Sequence, residues 1–186
     1  MKLADATTLV RTLMVFVIAY MIIFKVAAAA IIILMAVMFL LDYLDGYFAK
    51  GAVKNGGKPS WYGGRLDVAG DRVTEYVLWI VFAYLRIVPL FILFLVVLRH
   101  SFADALMGAR GTSSKMKTRL ARYVYSSSIG RGGIGVVKFV VFSYLSWMYV
   151  TSSVFGNYLY LGYFLIGVLF IYIMVRGIAE IYESLS

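Results

Sequence analysis

Long apolar runs constrain the fold of this chain more than any other feature. Six runs reach the length that an α-helix needs to cross a membrane, and the 186 residues are 63% hydrophobic with a mean hydropathy of +0.90. A soluble domain of this size has too little interior for so much apolar surface. The sequence therefore predicts an all-α integral membrane protein, with six transmembrane helices in a single domain, residues 1–186. The approximate predicted spans are Leu9–Phe24, Val26–Gly46, Leu66–Leu85, Val88–Met107, Ile134–Val150 and Tyr158–Ile181.

Lysine and arginine predict the orientation of these spans. Nearly all lie at the N-terminus, in the loop after the second span, in the connector before the fifth, or near the C-terminus, and only Lys25 and Arg86 fall on the opposite side. By the positive-inside rule, both termini face the cytoplasm. The first run resembles a signal peptide, but it continues into the second without a polar mature start, so we expect a retained span. The formal net charge of +9 indicates anionic membrane lipid or phosphorylated substrates rather than nucleic acid.

Cysteine and histidine usage excludes several kinds of chemistry. The chain has no cysteine and one histidine, which excludes thiolate catalysis, iron–sulfur clusters and the usual histidine-rich zinc sites. We expect the single histidine, His100, to be a polar residue at the membrane–water boundary.

Four aspartates lie at the end of the second span and the start of the third. On insertion scales, a carboxylate at the centre of a membrane helix costs roughly 2.5–3.5 kcal/mol. Asp42 and Asp45 are three residues apart, and Asp67 and Asp71 are four apart, so each pair falls on one helix face. The predicted topology places both pairs at the same depth, near the cytoplasm. They therefore indicate one cluster of oxygen ligands for hard divalent cations.

The residues around these aspartates form a longer pattern. The chain reads Asp42-Tyr-Leu-Asp45-Gly46-Tyr-Phe-Ala49-Lys50 and then Gly63-Gly-Arg-Leu-Asp67-Val-Ala-Gly-Asp71. This resembles the signature of the CDP-alcohol phosphotransferase (CDP-alcohol phosphatidyltransferase) family, D-x2-D-G-x2-A-R followed by G-x3-D-x3-D. The resemblance covers essentially the whole chain, with two departures. Lys50 replaces the usual arginine, and the spacer before Gly63 has twelve residues rather than the usual eight or nine.

The resemblance implies a function for each part of the motif. Two Mg²⁺ ions, or Mn²⁺ ions, would be bound by the four aspartates, and Asp71 would also be the general base that deprotonates an acceptor alcohol. The donor would be a CDP-linked lipid, attack on its lipid-bearing phosphorus would release CMP, and the enzyme would be a homodimer. The implied nucleotide-binding residues are Gly46, Ala49, Lys50, Gly63 and Thr8. Gly46, Ala49 and Gly63 lack bulk, so they would let a nucleotide lie against helix backbone or would permit close helix packing.

Thr8 belongs to a second stretch, Asp5-Ala-Thr-Thr8-Leu-Val-Arg11, which looks like the N-x2-T-x2-R of the family with Asp5 in place of asparagine. Thr8 would either cap the first helix or contact the nucleotide. Arg11 is the arginine of this stretch, and the alternative is that it is only a positive-inside anchor. Glu75, one turn after Asp71, is expected to orient a basic residue such as Arg72 or to be solvated at a helix end.

The basic connector suggests the acceptor. Ser114-Lys115-Met-Lys117-Thr118 resembles the G-K-x-K-T of the phosphatidylglycerophosphate synthase branch, and Arg131 precedes the fifth span. We interpret Lys115, Lys117 and Arg131 as binding a phosphorylated acceptor, because an anionic substrate needs fixed cations. Glycerol 3-phosphate is favoured, with inositol phosphate as the competitor, and the donor could be a diacylglycerol or an archaeal ether lipid.

Two alternatives to an active transferase remain from the sequence alone. A small cation transporter would also place acids among its spans, but it would not require the small residues of the motif. A family member without activity would be compatible with Lys50 and the long spacer, although the intact aspartates argue against it.

Overall fold

The computed structural model describes residues 3–54, 63–107, 128–154 and 156–185, with backbone alone at 3–4, 45–54, 107, 128–132 and 185. This part of the chain forms six α-helices and no strands. The helices are α1 (Leu3–Ile23), α2 (Ala28–Lys54), α3 (Gly63–Tyr84), α4 (Leu90–Met107), α5 (Ser128–Val150) and α6 (Asn157–Leu185). The predicted all-helical architecture with six helices is confirmed.

Apolar length supports the membrane assignment. Three stretches of the described helices are long and apolar enough to cross a membrane, namely Asp5–Ile23, Gly133–Val150 and Asn157–Ser184, and Ala28–Leu44 is a shorter apolar one. Large apolar side chains cover the outside of the bundle, including Leu13, Phe91 and Phe164, each 66% exposed. An outer surface of this kind is suited to lipid, in which every backbone group must be hydrogen-bonded within its own helix.

Three helices extend by six residues or more beyond the predicted spans. Helix α1 begins at Leu3 rather than near Leu9, α2 continues through Lys50 to Lys54, and α5 begins at Ser128. The sequence predicts a polar, Gly-rich loop from Lys50 to Gly64, and its predicted start at Lys50 is wrong. An apolar run marks where a helix enters lipid, whereas the backbone hydrogen bonds of a helix do not depend on apolar side chains and continue into polar sequence.

The helices form a closed ring in the order α1, α2, α5, α6, α4, α3, because each packs against the next and α3 returns to α1. Aromatic rings join α3 to α5 inside this ring. Phe142 makes an edge contact with Trp79 at a centroid distance of 5.3 Å and stacks on Phe82 at 6.0 Å. This apolar core lies toward the C-terminal end of α3, so the N-terminal half of α3 is left beside a cavity.

Candidate active site

Three of the four motif aspartates meet at one point between α2 and α3. Asp42, Asp67 and Asp71 each present a carboxylate oxygen, and these oxygens all lie within 4.8 Å of one another. Asp67 and Asp71 are one turn apart on α3, which places both on the face toward α2. Their side chains are half-buried, as is that of Asp42, so all three carboxylates are partly exposed.

Arg11 lies at the centre of this cluster. Its guanidinium donates to the carboxylates of Asp42, Asp71 (2.5 Å) and Asp67 (3.2 Å). The side chain is only 3% exposed, and a guanidinium buried to this degree needs paired charge to offset its lost hydration. Arg11 is therefore more than an orientation anchor, because its guanidinium is part of the carboxylate cluster. The N-x2-T-x2-R resemblance was the signal that could have identified it.

A glycine on α3 allows α1 to pack closely enough for Arg11 to contact the aspartates. A Cβ atom at Gly70 would lie 2.8 Å from Thr12 Oγ1 and 2.9 Å from Thr8 Cγ2, so only glycine allows this approach without displacement. Thr8 is buried in the second turn of α1, which excludes the predicted capping role because the helix starts at Leu3. Its proposed contact with the nucleotide stays a prediction.

A cavity of about 560 Å³ opens beside the aspartates. Helices α1, α2, α3, α5 and α6 contribute to its wall, and the polar lining residues are Arg11, Asp42, Tyr43, Asp71, Thr74, Glu75, Lys138 and Arg176. The rest of the wall is mainly apolar. A cavity of this size with a few convergent polar groups is typical of a small-molecule site.

A buried charge pair closes the inner part of this cavity. Glu75 accepts a hydrogen bond from Lys138 Nζ on α5 at 2.6 Å and a longer one from Trp79 Nε1 at 3.4 Å. His100 Nε2, on α4, lies 3.7 Å from the same carboxylate. His100 is 2% exposed, so it is packed among the helices rather than solvated, and its position at the membrane–water boundary stays a prediction. Its neighbours on α3 and α4 bury it inside the bundle.

Glu75 does orient a basic residue, but the residue is Lys138 rather than Arg72. Arg72 forms a bidentate ion pair with Asp104 on α4, with both N···O distances 2.8 Å. Asp71 and Glu75 are one turn apart and share the face of α3 that lines the cavity, whereas Arg72 lies on another face and pairs with α4.

The predicted nucleotide-binding residues near the motif belong to the end of α2 and the start of α3. Helix α2 continues without interruption through Asp45, Gly46, Ala49 and Lys50, whose side chains are outside the described residues, and Gly63 is the first residue of α3. A nucleotide contact at these positions stays a prediction.

The predicted acceptor residues are only partly described. Arg131 belongs to the first turn of α5, and its side chain is not described; Lys115 and Lys117 lie outside the described residues. Sequence reasoning missed Lys138 and Arg176, which line the cavity. Each is a charged residue inside an apolar run, a recognised signal of function in membrane helices, and Lys138 follows Arg131 by two helical turns.

The carboxylate cluster fits a divalent cation. Three carboxylates and one guanidinium leave a formal charge of −2 when all four groups are ionised, and carboxylate oxygens are the ligands that Mg²⁺ prefers. Asp42, Asp67 and Asp71 are the described residues that could hold such an ion.

Comparison with known families identifies the class of protein. The family model for CDP-alcohol phosphatidyltransferase matches residues 1–179. The chain belongs to this family of membrane transferases of phospholipid biosynthesis, which move a phosphatidyl group from a CDP-alcohol to an alcohol. The family resemblance of the aspartate motif is thereby confirmed. No curated protein and no solved structure matches the chain.

Proposed function

We propose that this protein is a metal-dependent CDP-alcohol phosphotransferase that joins a CDP-linked lipid to a small phosphorylated alcohol and releases CMP. The observation that carries the proposal is the single cavity that exposes Asp42 and Asp71 beside the cations Lys138 and Arg176. In this cavity, the carboxylates are suited to a metal cation that binds the diphosphate. The lysine and the arginine are suited to an anionic acceptor.

The residues of the chain support a direct displacement. Asp71 accepts the proton of the acceptor hydroxyl, and the acceptor oxygen forms a bond to the phosphorus that carries the lipid. The bond from that phosphorus to the bridging oxygen breaks, and CMP leaves with the electron pair. Asp42, Asp45, Asp67 and Asp71 would hold Mg²⁺ or Mn²⁺, which would supply charge neutralisation at the diphosphate. Arg11 orients the carboxylates of Asp42, Asp67 and Asp71.

The donor nucleotide is proposed to lie along the end of α2 and the start of α3. Gly46 and Ala49 follow Asp42 on α2, and Gly63 begins α3. The absence of bulky side chains at these positions supports close approach of a ligand to the backbone. Lys50 would act on the diphosphate as a point charge, without the two-pronged contact of an arginine.

The acceptor is proposed to be a phosphorylated alcohol, with glycerol 3-phosphate favoured. Lys138 and Arg176 line the cavity, and Arg131 precedes Lys138 by two turns on α5. Several fixed cations favour an anionic acceptor over serine or free inositol. The Lys115-Met-Lys117-Thr118 stretch supports glycerol 3-phosphate, and inositol phosphate is the second candidate.

Orientation and assembly are part of the proposal. The distribution of lysine and arginine supports cytoplasmic termini and an active site that faces the cytoplasm of the cell membrane. The family resemblance supports a homodimer.

Release of CMP tests the reaction. Purified protein would be given Mg²⁺ and CDP-diacylglycerol or its ether-lipid analogue, with glycerol 3-phosphate, inositol phosphate, free inositol or serine added separately. We expect release with one phosphorylated acceptor. Release with serine or free inositol would contradict the acceptor class. Protein that neither releases CMP nor binds CDP would contradict the transferase assignment and favour cation transport.

A further inference from the structure

The pair formed by Glu75 and Lys138 has a geometry that a simple packing role does not explain. Glu75 is 2% exposed, and a carboxylate this deep in a helical bundle needs a cationic partner because burial removes its hydration. Lys138 supplies the partner from across the bundle, at 2.6 Å. Its side chain is nevertheless 16% exposed, and it lines the cavity. Both residues border the cavity where a substrate would bind, and Lys138 is the more exposed of the two.

The pair also has a defined position relative to Asp71. Glu75 follows Asp71 by four residues on α3, which is about 6 Å along the helix axis at a rise of about 1.5 Å per residue. Lysine has a long, flexible stem, so an unpaired Lys138 could place its ammonium group in many positions. The hydrogen bond to Glu75 restricts the ammonium group of Lys138 to one position. That position lies about one helical turn further into the bundle than Asp71, the proposed base.

Thr74 provides an independent indication of a ligand in this part of the cavity. It is 7% exposed and lines the cavity, and within the described part of the chain its Oγ1 has no hydrogen-bond partner. A buried hydroxyl without a partner is unfavourable, so a bound group that accepts its hydrogen bond would be stabilised there. Thr74 and Lys138 together offer a hydroxyl donor and an ammonium donor, a combination that suits a phosphate oxygen.

We propose that Glu75 is a positioning residue that holds Lys138 to bind the phosphate of the acceptor, with Thr74 donating to the same phosphate. This inference rests on the proposed function. Glu75 itself does not contact the substrate: its carboxylate would repel a phosphate and acts only through the lysine. The acceptor hydroxyl then lies nearer Asp71, since the phosphate is anchored deeper in the cavity.

Steady-state kinetics of Glu75→Gln test this role. Without the Glu75 carboxylate, the ammonium group of Lys138 is no longer held in position, which weakens one charge-assisted hydrogen bond to the acceptor. We therefore expect the KM for the acceptor to rise about tenfold. The KM for the CDP-lipid should stay within about twofold of wild type, because the donor binds at the aspartates. Glu75→Asp, which keeps the charge, should restore part of the acceptor affinity. An unchanged acceptor KM in Glu75→Gln, or equal changes for both substrates, would overturn the inference.

A double variant separates positioning from folding. Lys138→Met alone leaves a buried, unpaired carboxylate and is expected to destabilise the protein, whereas Glu75→Gln with Lys138→Met removes both charges and should fold. If Glu75 acts through Lys138, the double variant should match Lys138→Met in acceptor KM. A further rise in the double variant would mean that Glu75 acts by another route. Asp104→Asn is the matched control, because it breaks an ion pair of α3 outside the cavity and should leave the acceptor KM near wild type.

Thermal stabilisation by glycerol 3-phosphate gives a measurement that does not need turnover. Wild-type protein in detergent should be stabilised, and Glu75→Gln should need about tenfold more ligand for the same effect. Stabilisation that is equal in the two proteins, or absent in both, would overturn the inference. Wild-type protein that binds glycerol 3-phosphate but releases no CMP would instead contradict the proposed function.

Discussion

Single charged residues carry most of the functional information in this chain, and Arg11 illustrates why their surroundings matter. In the sequence it is one positive charge at the edge of an apolar run, which the positive-inside rule explains fully. In the structure its guanidinium contacts three carboxylates from two other helices. The same residue is thus an orientation signal along the chain and a counter-charge in the site.

Asp71→Asn tests the proposed base. The amide keeps the size of the side chain but cannot accept the proton of the acceptor hydroxyl, so CMP release should fall by about 10²–10⁴-fold or more. Binding of CDP, measured by calorimetry on purified protein, should persist, because Asp42 and Asp67 are intact. Full activity of the variant would remove Asp71 from the catalytic role. The matched control is again Asp104→Asn, which makes the same chemical change outside the cavity.

Arg131→Ala and Lys117→Ala test the acceptor residues that were identified from sequence. Each should raise the KM for the phosphorylated acceptor, by about tenfold for one lost charged contact, and should change the KM for the CDP-lipid less. Arg86→Ala is the control, because it removes the same kind of charge from the connection between α3 and α4, at the opposite end of α3 from Gly63. It should change neither the KM for the acceptor nor the KM for the CDP-lipid. If the KM for the acceptor is unchanged in one of these two variants, the residue replaced in that variant does not belong to the acceptor pocket.

At the scale of elements, the contact between α1 and α3 decides whether the site forms. Gly70 lies on the same helix as Asp67 and Asp71, and its missing side chain lets α1 approach closely enough for Arg11 to reach both. The motif resemblance does not include Gly70, so its importance follows only from the packing.

Gly70→Ala tests this contact. The added Cβ would lie less than 3.0 Å from atoms of both Thr8 and Thr12, so α1 or its side chains must shift. Overpacking of this kind costs about 1–3 kcal/mol, and thermal unfolding in detergent should occur at a lower temperature. Gly167→Ala is the control, because nothing lies within 4 Å of its Cβ position and alanine favours a helix. Equal stability of the two variants would contradict the close approach.

At the scale of the whole molecule, the ring order of the helices brings distant parts of the chain together. Helix α1 packs between α2 and α3, and α5 closes onto α2, so residues 11, 42, 71 and 138 line one cavity. The apolar core around Phe142 seals its inner end.

Cysteine labelling tests the orientation of the bundle. The chain has no cysteine, so one introduced cysteine reacts alone. Cytoplasmic termini predict that a membrane-impermeant maleimide labels Asn157→Cys, at the start of α6, in intact cells. Lys2→Cys should be labelled only after the cells are permeabilised. Labelling of Lys2→Cys in intact cells would reverse the proposed topology.

The class of this protein could be predicted from sequence because it depends on local patterns. Apolar runs long enough to span a membrane identify helices wherever they pack, and the spacing of Asp42, Asp67 and Asp71 is a property of the chain itself. Helix ends were less predictable: α2 continues past Lys50 because hydropathy records contact with lipid rather than backbone hydrogen bonding.

Only the tertiary structure decided the partners of the charged residues. Hydropathy along the chain does not encode the ring order, so it could not show that Arg11 meets the aspartates or that Glu75 pairs with Lys138 rather than Arg72. The sequence by itself determined the membrane class, the six helices and the acids of the site. Packing determined which cations those acids meet, because a buried charge is satisfied by whichever opposite charge the neighbouring helices bring within reach.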